Sequence, residues 1–309
     1  MYKYVIKRLL FTIPVMIGAI FLVFTIMYLT PGDPGTLILG ITAKQEAINA
    51  LNHQLGYDRP FLVQFADYLI NMLHGDFGIS YRTQQPVFNE ILARFPTTFW
   101  LALLSMICSS VIGITFGIIS AVKQYSVLDN ITTTTAMLLS AIPGFWLGLM
   151  LMMLFSLKLG IFPSSGIDTW KGFVLPVATL TLNGAASQMR LTRSTMLETI
   201  RSDYIRTARS KGAPEKVVIW KHALKNALLP VITSMGMNFG AGLGGAVIIE
   251  TVFGMPGLGL LIVNSIRQKD TPTVMAATLF LAFLFCIVML IVDILYAYID
   301  PRIKAKYKS

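Results

Sequence analysis

The sequence predicts an all-α polytopic membrane protein with six transmembrane helices. Apolar residues make up 55% of the 309 residues and charged residues only 13%, whereas soluble domains carry about a quarter charged residues. Six apolar segments are each long enough to cross a hydrocarbon core, which takes about 20 helical residues. They extend over residues 9–29, 96–122, 130–157, 173–191, 229–249 and 273–297.

Residues 1–29 are predicted to be the N-terminus and an uncleaved first helix. Lys3, Lys7 and Arg8 precede the first apolar segment, as basic residues do in a secretory signal peptide. This segment has the length of a full membrane span, however, and no small-residue cleavage site follows it. We therefore expect it to remain in the protein as a helix.

Residues 30–95 are predicted to form a small helical cap outside the membrane. The motif TPGDPG at 30–35 ends the first helix, because its prolines and glycines prevent helix continuation. Residues 45–55 and 60–73 are amphipathic, with apolar residues at helical spacing. Ordered helices are therefore expected between the first and second spans.

Residues 96–301 contain the other five spans and the candidate pathway. Pro143 and Gly144 interrupt the third span and predict a break, which is tolerated at membrane depth where a helix lines a cavity. Residues 229–259 are rich in small residues, which suit close helix packing or a flexible pathway wall. The pathway and gate candidates are Pro143, Gly144, Phe145, Asn238, Gly242 and Glu250.

The distribution of Lys and Arg predicts that both termini are cytoplasmic. The membrane side that holds the termini and the loop after the fourth span has about twice as many Lys and Arg residues as the other side. The tail at 302–309 is short and basic, which suits contact with anionic lipid headgroups. Asp293 lies near the inner end of the sixth span, where an ion pair with Arg302 is favoured over a functional role.

Several classes of function lack support in the sequence. The net charge of +10 comes from basic residues beside apolar spans, which favours a membrane surface over nucleic acid as partner. Cys108 and Cys286 lie inside apolar segments, and no metal-ligand, catalytic or Walker A motif occurs. Small residues such as Gly113 and Gly117 indicate helix packing. A proton-coupled secondary transporter stays open as an alternative, although its usual mid-membrane charges are missing.

Residues 203–233 form the one long basic and polar interval between apolar spans, and their pattern is helix, break, helix. Apolar residues fall at helical spacing from Tyr204 to Ala208, and Gly212 follows where a left-handed residue ends a helix. Pro214 then suits the first turn of a second, amphipathic helix. A helix pair of this kind at one membrane face is suited to dock into another protein.

This interval resembles the cytoplasmic signature loop, or EAA loop, of ABC-importer permeases in the dipeptide, oligopeptide and nickel group. The match is carried by Ala208, Gly212, His222, Asn226 and Pro230. Arg206, Thr207 and Ala208 stand about where the family has its glutamate, so the match depends mainly on Gly212 and its surroundings. Residues 55–87, 159–176 and 250–259 also resemble this family, and the similarity covers nearly the whole chain.

The resemblance implies a type I ABC importer permease in the inner membrane of a bacterium or archaeon. In that family the cap contacts an extracytoplasmic binding protein, two homologous permeases pair as a heterodimer, and two ATPase subunits hold ATP and Mg²⁺. This chain would bind no cofactor or metal itself and would be a transport subunit, not an enzyme. The ATPase-coupling residues, in a loop over about 194–229, would be Tyr204, Arg206, Thr207, Ala208, Arg209, Lys211, Gly212, Ala213, Pro214 and Pro230.

The resemblance also implies a class of solute. Import of dipeptides or oligopeptides is the main expectation. A nickel complex, haem or glutathione is carried within the same family, and the sequence leaves these alternatives open.

Overall fold

The computed structural model describes residues 2–299, and this part of the chain is helical, with a single isolated β-bridge between Ile79 and Pro86. Two π-helical segments, Met152–Lys158 and Val218–Ala223, extend neighbouring α-helices. In chain order the α-helices are α1 Tyr2–Leu29, α2 Pro34–Leu39, α3 Gln45–Gln54, α4 Phe61–Leu73, α5 Val87–Val122, α6 Val127–Ala141, α7 Gly144–Leu151, α8 Lys171–Ile200, α9 Asp203–Ser210, α10 Glu215–Val217, α11 Leu224–Gly245, α12 Val247–Val252, α13 Leu258–Arg267 and α14 Thr271–Ile299.

The helical class agrees with the prediction, and the predicted segments differ in how clearly they qualify as spans. Four helical stretches in the described part are long and apolar enough to cross a membrane: Arg8–Leu29, Val87–Val122, Glu215–Gly244 and Thr271–Leu295. The predicted third span is α6 followed by α7 and its π-helical extension, bent by 100° at the predicted break. Helix α8 is not among the stretches that pass this test of length and apolarity. The count of six therefore stays a prediction.

Helices α2, α3 and α4 occupy the region predicted as the cap. Asn52 of α3 donates its side-chain N–H to Asp33 Oδ1 at 2.7 Å and accepts from the backbone N–H of Gly35 at 2.7 Å. Burial acts to raise the pKa of Asp33, but hydrogen bonds from Asn52 and Thr36 outweigh it, so the pKa is lowered. These contacts fix α2 on α3.

Two further contacts attach the cap region to the long helices. The ring of Phe65 in α4 packs against Phe21 and Phe24 of α1, with centroid distances of 5.2 and 5.5 Å. Buried Asp270, just before α14, accepts hydrogen bonds from Ser80 Oγ at 2.5 Å and from the backbone N–H of Tyr81 at 3.0 Å. The turn at 79–86 is thereby fixed to the start of α14.

Helix α5 begins at Val87, before the predicted start of the second span at Pro96. Pro96 lies inside this helix instead of at its first turn. Val87 and Ile91 are buried in one cluster with Leu258 of α13. This packing extends the helix through a stretch whose charged residues lower its hydropathy below that of a span.

The predicted second helix of the 203–233 interval is not a separate element. Helix α10, the segment Val218–Ala223 and α11 follow one another without a break, and Pro230 is accommodated inside α11. Helix α8 likewise continues to Ile200. The connection predicted over about 194–229 is therefore limited to residues 201–214 around α9, because α8 and the α10–α11 run extend further than their apolar segments.

The contact of α5 with α8 is close because α5 has glycines at the crossing. A Cβ on Gly113 would lie 2.6 Å from Gln188 Cβ, and a Cβ on Gly117 would lie 2.6 Å from Thr192 Cβ. Neither approach is possible with a larger residue. The role predicted for these glycines in helix packing is confirmed.

Candidate functional site

Helix α9 ends at a glycine turn that has the geometry predicted from the sequence. Gly212 has a φ of +80°, in the left-handed region, and its N–H donates to Arg209 O at 2.9 Å. A Cβ on Gly212 would meet nothing within 4 Å, so the backbone conformation and not lack of space requires glycine. Pro214 then stands at the N-cap of α10, one position before the predicted first turn.

One face of α9 is buried against the neighbouring ends of the long helices α5, α8 and α11. Ile205 is fully buried in a cluster with Ile118 of α5, Met196 of α8 and Val218 of the second π-helical segment. The Tyr204 hydroxyl accepts a hydrogen bond from Asn226 Nδ2 at 2.8 Å. Helix α9 is therefore bound to α5, α8 and the α10–α11 run, and a displacement of α9 acts on all three.

The opposite face of α9 and the following turn form an exposed surface, which is called the coupling surface below because the sequence predicts ATPase coupling there. Its exposed residues are Tyr204, Arg206, Thr207, Arg209, Lys211, Gly212 and Pro214. Ala208 and Ala213 are partly buried and pack against the Ile205 cluster. Pro230 is separate from this surface in the chain, inside α11 and one helical turn after Asn226.

An ion pair spans the Gly212 turn. Arg209 donates Nε to Glu215 Oε2 at 3.0 Å and Nη2 to Glu215 Oε1 at 2.6 Å. Both side chains are exposed, so solvent screens the pair and its contribution is about 0–1 kcal/mol. The pair aligns α9 with α10 but adds little to stability.

Glu250, predicted as a pathway or gate residue, is fully buried inside the chain. Thr98 of α5 donates its hydroxyl to Glu250 Oε1 at 2.6 Å, and the backbone N–H of Leu260 donates to Oε2 at 3.0 Å. The backbone N–H of Leu258 in turn donates to Thr98 Oγ1 at 2.8 Å. Glu250 therefore anchors the turn between α12 and α13 to α5, and its role at the pathway or gate stays a prediction.

The glycines of this turn allow the carboxylate to fit. A Cβ on Gly257 would overlap the Glu250 carboxylate, and a Cβ on Gly259 would lie 2.5 Å from Val247 Cα. Gly254 has a φ of +57°. Gly257 and Gly259 of the motif FGMPGLG at 253–259 thus leave room for one buried acid.

The break in the third span lies at the predicted residues. Helix α6 ends at Ala141, and Pro143, which cannot continue it, is the N-cap of α7. Pro143 and Phe145 are exposed, and a Cβ on Gly144 would lie 3.2 Å from Asn183 Nδ2 of α8. The break therefore faces the surface of the chain, next to a polar residue of a neighbouring helix.

That residue begins a polar stripe on α8. Asn183, Ser187, Arg190 and Ser194 recur at intervals of three or four residues, which places them on one helix face. All of them except half-buried Asn183 are exposed. Exposed polar and charged groups are costly in hydrocarbon, so a stripe of this kind faces water or another protein chain. The stripe is absent from the sequence-based site prediction, although its helical period is the signal that identifies it.

The other two pathway candidates lie on α11 and differ in environment. Asn238 is exposed and donates weakly to Ser234 Oγ at 3.5 Å. Gly242 is half-buried, and a Cβ there would lie 3.5 Å from Ala102 Cβ of α5. Asn238 is thus available at the surface, whereas Gly242 is a site of helix packing.

Comparison with models of protein families identifies the family of this chain. Residues 1–102 match the model of the N-terminal part of binding-protein-dependent transport system membrane components, and residues 113–305 match the model of the binding-protein-dependent transport system inner membrane component. The chain belongs to this permease family. The N-terminal match covers α1, the cap and the start of α5, and the second covers the α8 stripe and the coupling surface.

Individual relatives and solved structures agree with the family. The glutathione transport system permease protein GsiC of Escherichia coli K12 is 42% identical over 306 residues, which are 99% of this chain and 100% of that protein. GsiC of Salmonella typhi is equally similar, at 42% over 306 residues. The MetNI methionine ABC transporter aligns with a TM-score of 0.59 at 19% identity, covering 70% of this chain and 98% of that chain. An amino acid ABC transporter with histidines gives 0.53 at 16%, covering 69% and 94%.

The structural matches have low identity and show the fold of an ABC importer permease. Together with the family match they confirm the predicted permease family and the all-helical fold class. This permease is a transport subunit of an ABC importer, and it is a multi-pass protein of the inner membrane.

Proposed function

We propose that this permease forms half of the translocation pathway of an ATP-driven importer for short peptides, and that glutathione is the first solute to test. The observation that supports this is the 42% identity, over the full length of both chains, to permeases named for glutathione transport. Glutathione is a tripeptide, so the proposal includes it within the predicted peptide class. An extracytoplasmic binding protein delivers the solute.

The second half of the pathway comes from a homologous permease, as a heterodimer. The polar stripe on α8 and exposed Asn238 on α11 support this, because nothing in the described part of the chain covers them. A partner chain or a water-filled pathway removes such groups from lipid. The break at Pro143 and Gly144 lies beside the stripe and forms part of the pathway wall.

The coupling surface docks into a groove of an ATPase subunit on the cytoplasmic side, where both termini also lie. Two ATPase subunits bind ATP and Mg²⁺, and this chain binds no cofactor. When the ATPase dimer closes, it displaces α9, and the Ile205 cluster transmits that displacement to α5, α8 and the α10–α11 run. Such coupling requires two arrangements, each favoured by one nucleotide state.

The test is reconstitution of the complete complex in lipid vesicles, with the binding protein titrated after loading with glutathione, a dipeptide or a longer peptide. We expect one of these to stimulate ATP hydrolysis and to be taken up in an ATP-dependent manner. If only a dipeptide or a longer peptide stimulates hydrolysis, that peptide is the solute instead of glutathione. Stimulation by a nickel complex or haem alone would contradict the peptide proposal, and uptake driven by an imposed proton gradient without ATP would contradict the mechanism.

A further inference from the structure

Asp129, near the start of α6, is a buried carboxylate at the meeting point of three elements. Arg193 of α8 donates to both of its oxygens, with Nε 2.7 Å from Oδ1 and Nη2 2.8 Å from Oδ2. Ser120 of α5 also donates to Oδ1, and the backbone N–H of Tyr125 in the α5–α6 turn donates to Oδ2 at 2.9 Å. A two-pronged ion pair of this type fixes orientation as well as distance.

The Arg193 end of this cluster is continuous with the coupling surface. Met196, one helical turn later, is fully buried in the same cluster as Ile205 of α9. Arg201, at the end of α8, donates Nη2 to Gln124 Oε1 in the α5–α6 turn at 3.2 Å. Successive turns of α8 therefore contact first the start of α6, through Arg193, and then α9, through Met196.

The apolar contact of α6 with the described chain is small by comparison. Its buried cluster consists of Ala136 with Ala186 and Met189 of α8, and most large apolar side chains of α6 are exposed. Between helices in lipid there is little hydrophobic driving force, so packing and polar contacts determine helix association. The ion pair is thus a principal link that sets the position of α6 relative to α8.

We propose that Asp129 and Arg193 are positioning residues that transmit movement of the coupling surface to α6, and through α6 to the break at Pro143. This inference rests on the proposed function. Displacement of α9 moves the end of α8 through Ile205 and Met196, and the ion pair carries α6 with it. Because α6 ends at the break, its movement changes the angle of the broken span beside the polar stripe.

A structural role alone predicts a different result from a role in transmission. Loss of a structural pair reduces the amount of assembled complex, whereas loss of transmission lowers the solute taken up per ATP hydrolysed by complex that has assembled. The solute taken up per ATP hydrolysed is therefore the quantity to measure. Arg193→Lys keeps the charge but loses the planar two-pronged geometry, and Asp129→Asn keeps the shape but loses the charge.

The experiment compares both variants with wild type in the full complex of permeases, ATPase subunits and glutathione-loaded binding protein, or the peptide that stimulates wild type. We expect both variants to hydrolyse ATP. The solute taken up per ATP hydrolysed should fall by at least about fivefold, which is the lower end of typical coupling factors between two sites. Asp293→Asn is the matched control, because it removes the same charge from an inter-helix pair with Arg8, at 3.3 Å, away from α6 and α9. It should leave the ratio unchanged.

Two results would overturn the inference. Variants that assemble and keep the wild-type ratio show that the pair does not transmit movement. If both variants fail to assemble, the cluster is a determinant of folding and not of transmission. The proposed function fails independently, when wild-type complex shows no hydrolysis stimulated by any loaded peptide.

Discussion

Replacement of Glu250 by alanine is expected to release the turn at 253–259 and to destabilise the permease. The substitution leaves the Thr98 hydroxyl and the Leu260 N–H without an acceptor in a buried site. An unsatisfied buried polar group costs about 1–3 kcal/mol, so the pair costs about 2–6 kcal/mol. Glu250→Gln keeps the volume and one acceptor oxygen, and we expect it to cost about half as much.

Thermal unfolding of the purified complex measures the loss of stability, and thiol labelling reports on the turn itself. Met255 is fully buried in the turn, so Met255→Cys, made in a Cys108→Ser and Cys286→Ser background, is expected to be protected until Glu250 is replaced. Glu46→Ala removes an exposed acid from α3 and is the control. Glu250→Ala with a wild-type midpoint and a still protected thiol would refute the assignment of Glu250 as the anchor.

Three further predictions concern the glycine turn, the 79–86 turn and the cap. Gly212→Ala is expected to reduce solute-stimulated ATP hydrolysis, because a left-handed conformation costs an L-residue about 1–2 kcal/mol; Gly160→Ala, at a φ of +64° between α7 and α8, should leave hydrolysis unchanged. Asp270→Ala is expected to accelerate proteolysis at 79–86, since it removes the acceptor of three hydrogen bonds, and unchanged cleavage would contradict that role. Because the pKa of Asp33 is lowered on folding, its stabilising contribution is present above the ordinary carboxyl pKa of about 3.9 and is lost as the pH falls through the lower folded value. Hydrogen exchange in α2 of the wild-type protein should therefore increase only at the acidic end of a pH series. The Asp33→Asn variant should lack this pH-dependent increase.

Local chemistry determined how much of this fold could be predicted from the sequence. The break at Pro143 and the helix end at Gly212 follow from backbone restrictions of single residues, and both lie where predicted. Helix lengths were less accurate, because α5 is extended by packing of Val87 against α13 and α8 continues past its apolar part. Hydropathy identifies the segment that crosses the lipid, whereas tertiary contacts decide where the helix ends.

The site was predictable only where it is local in sequence. Glu250 and Thr98 are 152 positions apart, so no spacing rule pairs them, and the sequence alone does not predict the anchoring hydrogen bonds of Glu250. The ion pair expected for Asp293 occurs, but its described partner is Arg8, and Arg302 lies outside the described residues. Pairing across a helix bundle depends on which helices are neighbours, which composition does not specify.

If the coupling surface docks into an ATPase subunit as proposed, the continuity of α10 with α11 determines how movement leaves that surface. A separate second helix would pivot at its own hinge and dissipate the movement, whereas a continuous helix transmits it along its axis towards Asn238. Tyr204 and Ile205 contact this run at its start, through Asn226 and Val218. Helix α6 has no place in that cluster, so movement reaches the broken span by a different route, through Asp129 and Arg193. Under the proposed mechanism, two routes therefore leave one surface: one along α11, and one through the ion pair to the break before α7. The ratio of solute uptake to ATP hydrolysis in the Asp129→Asn variant separates the two routes.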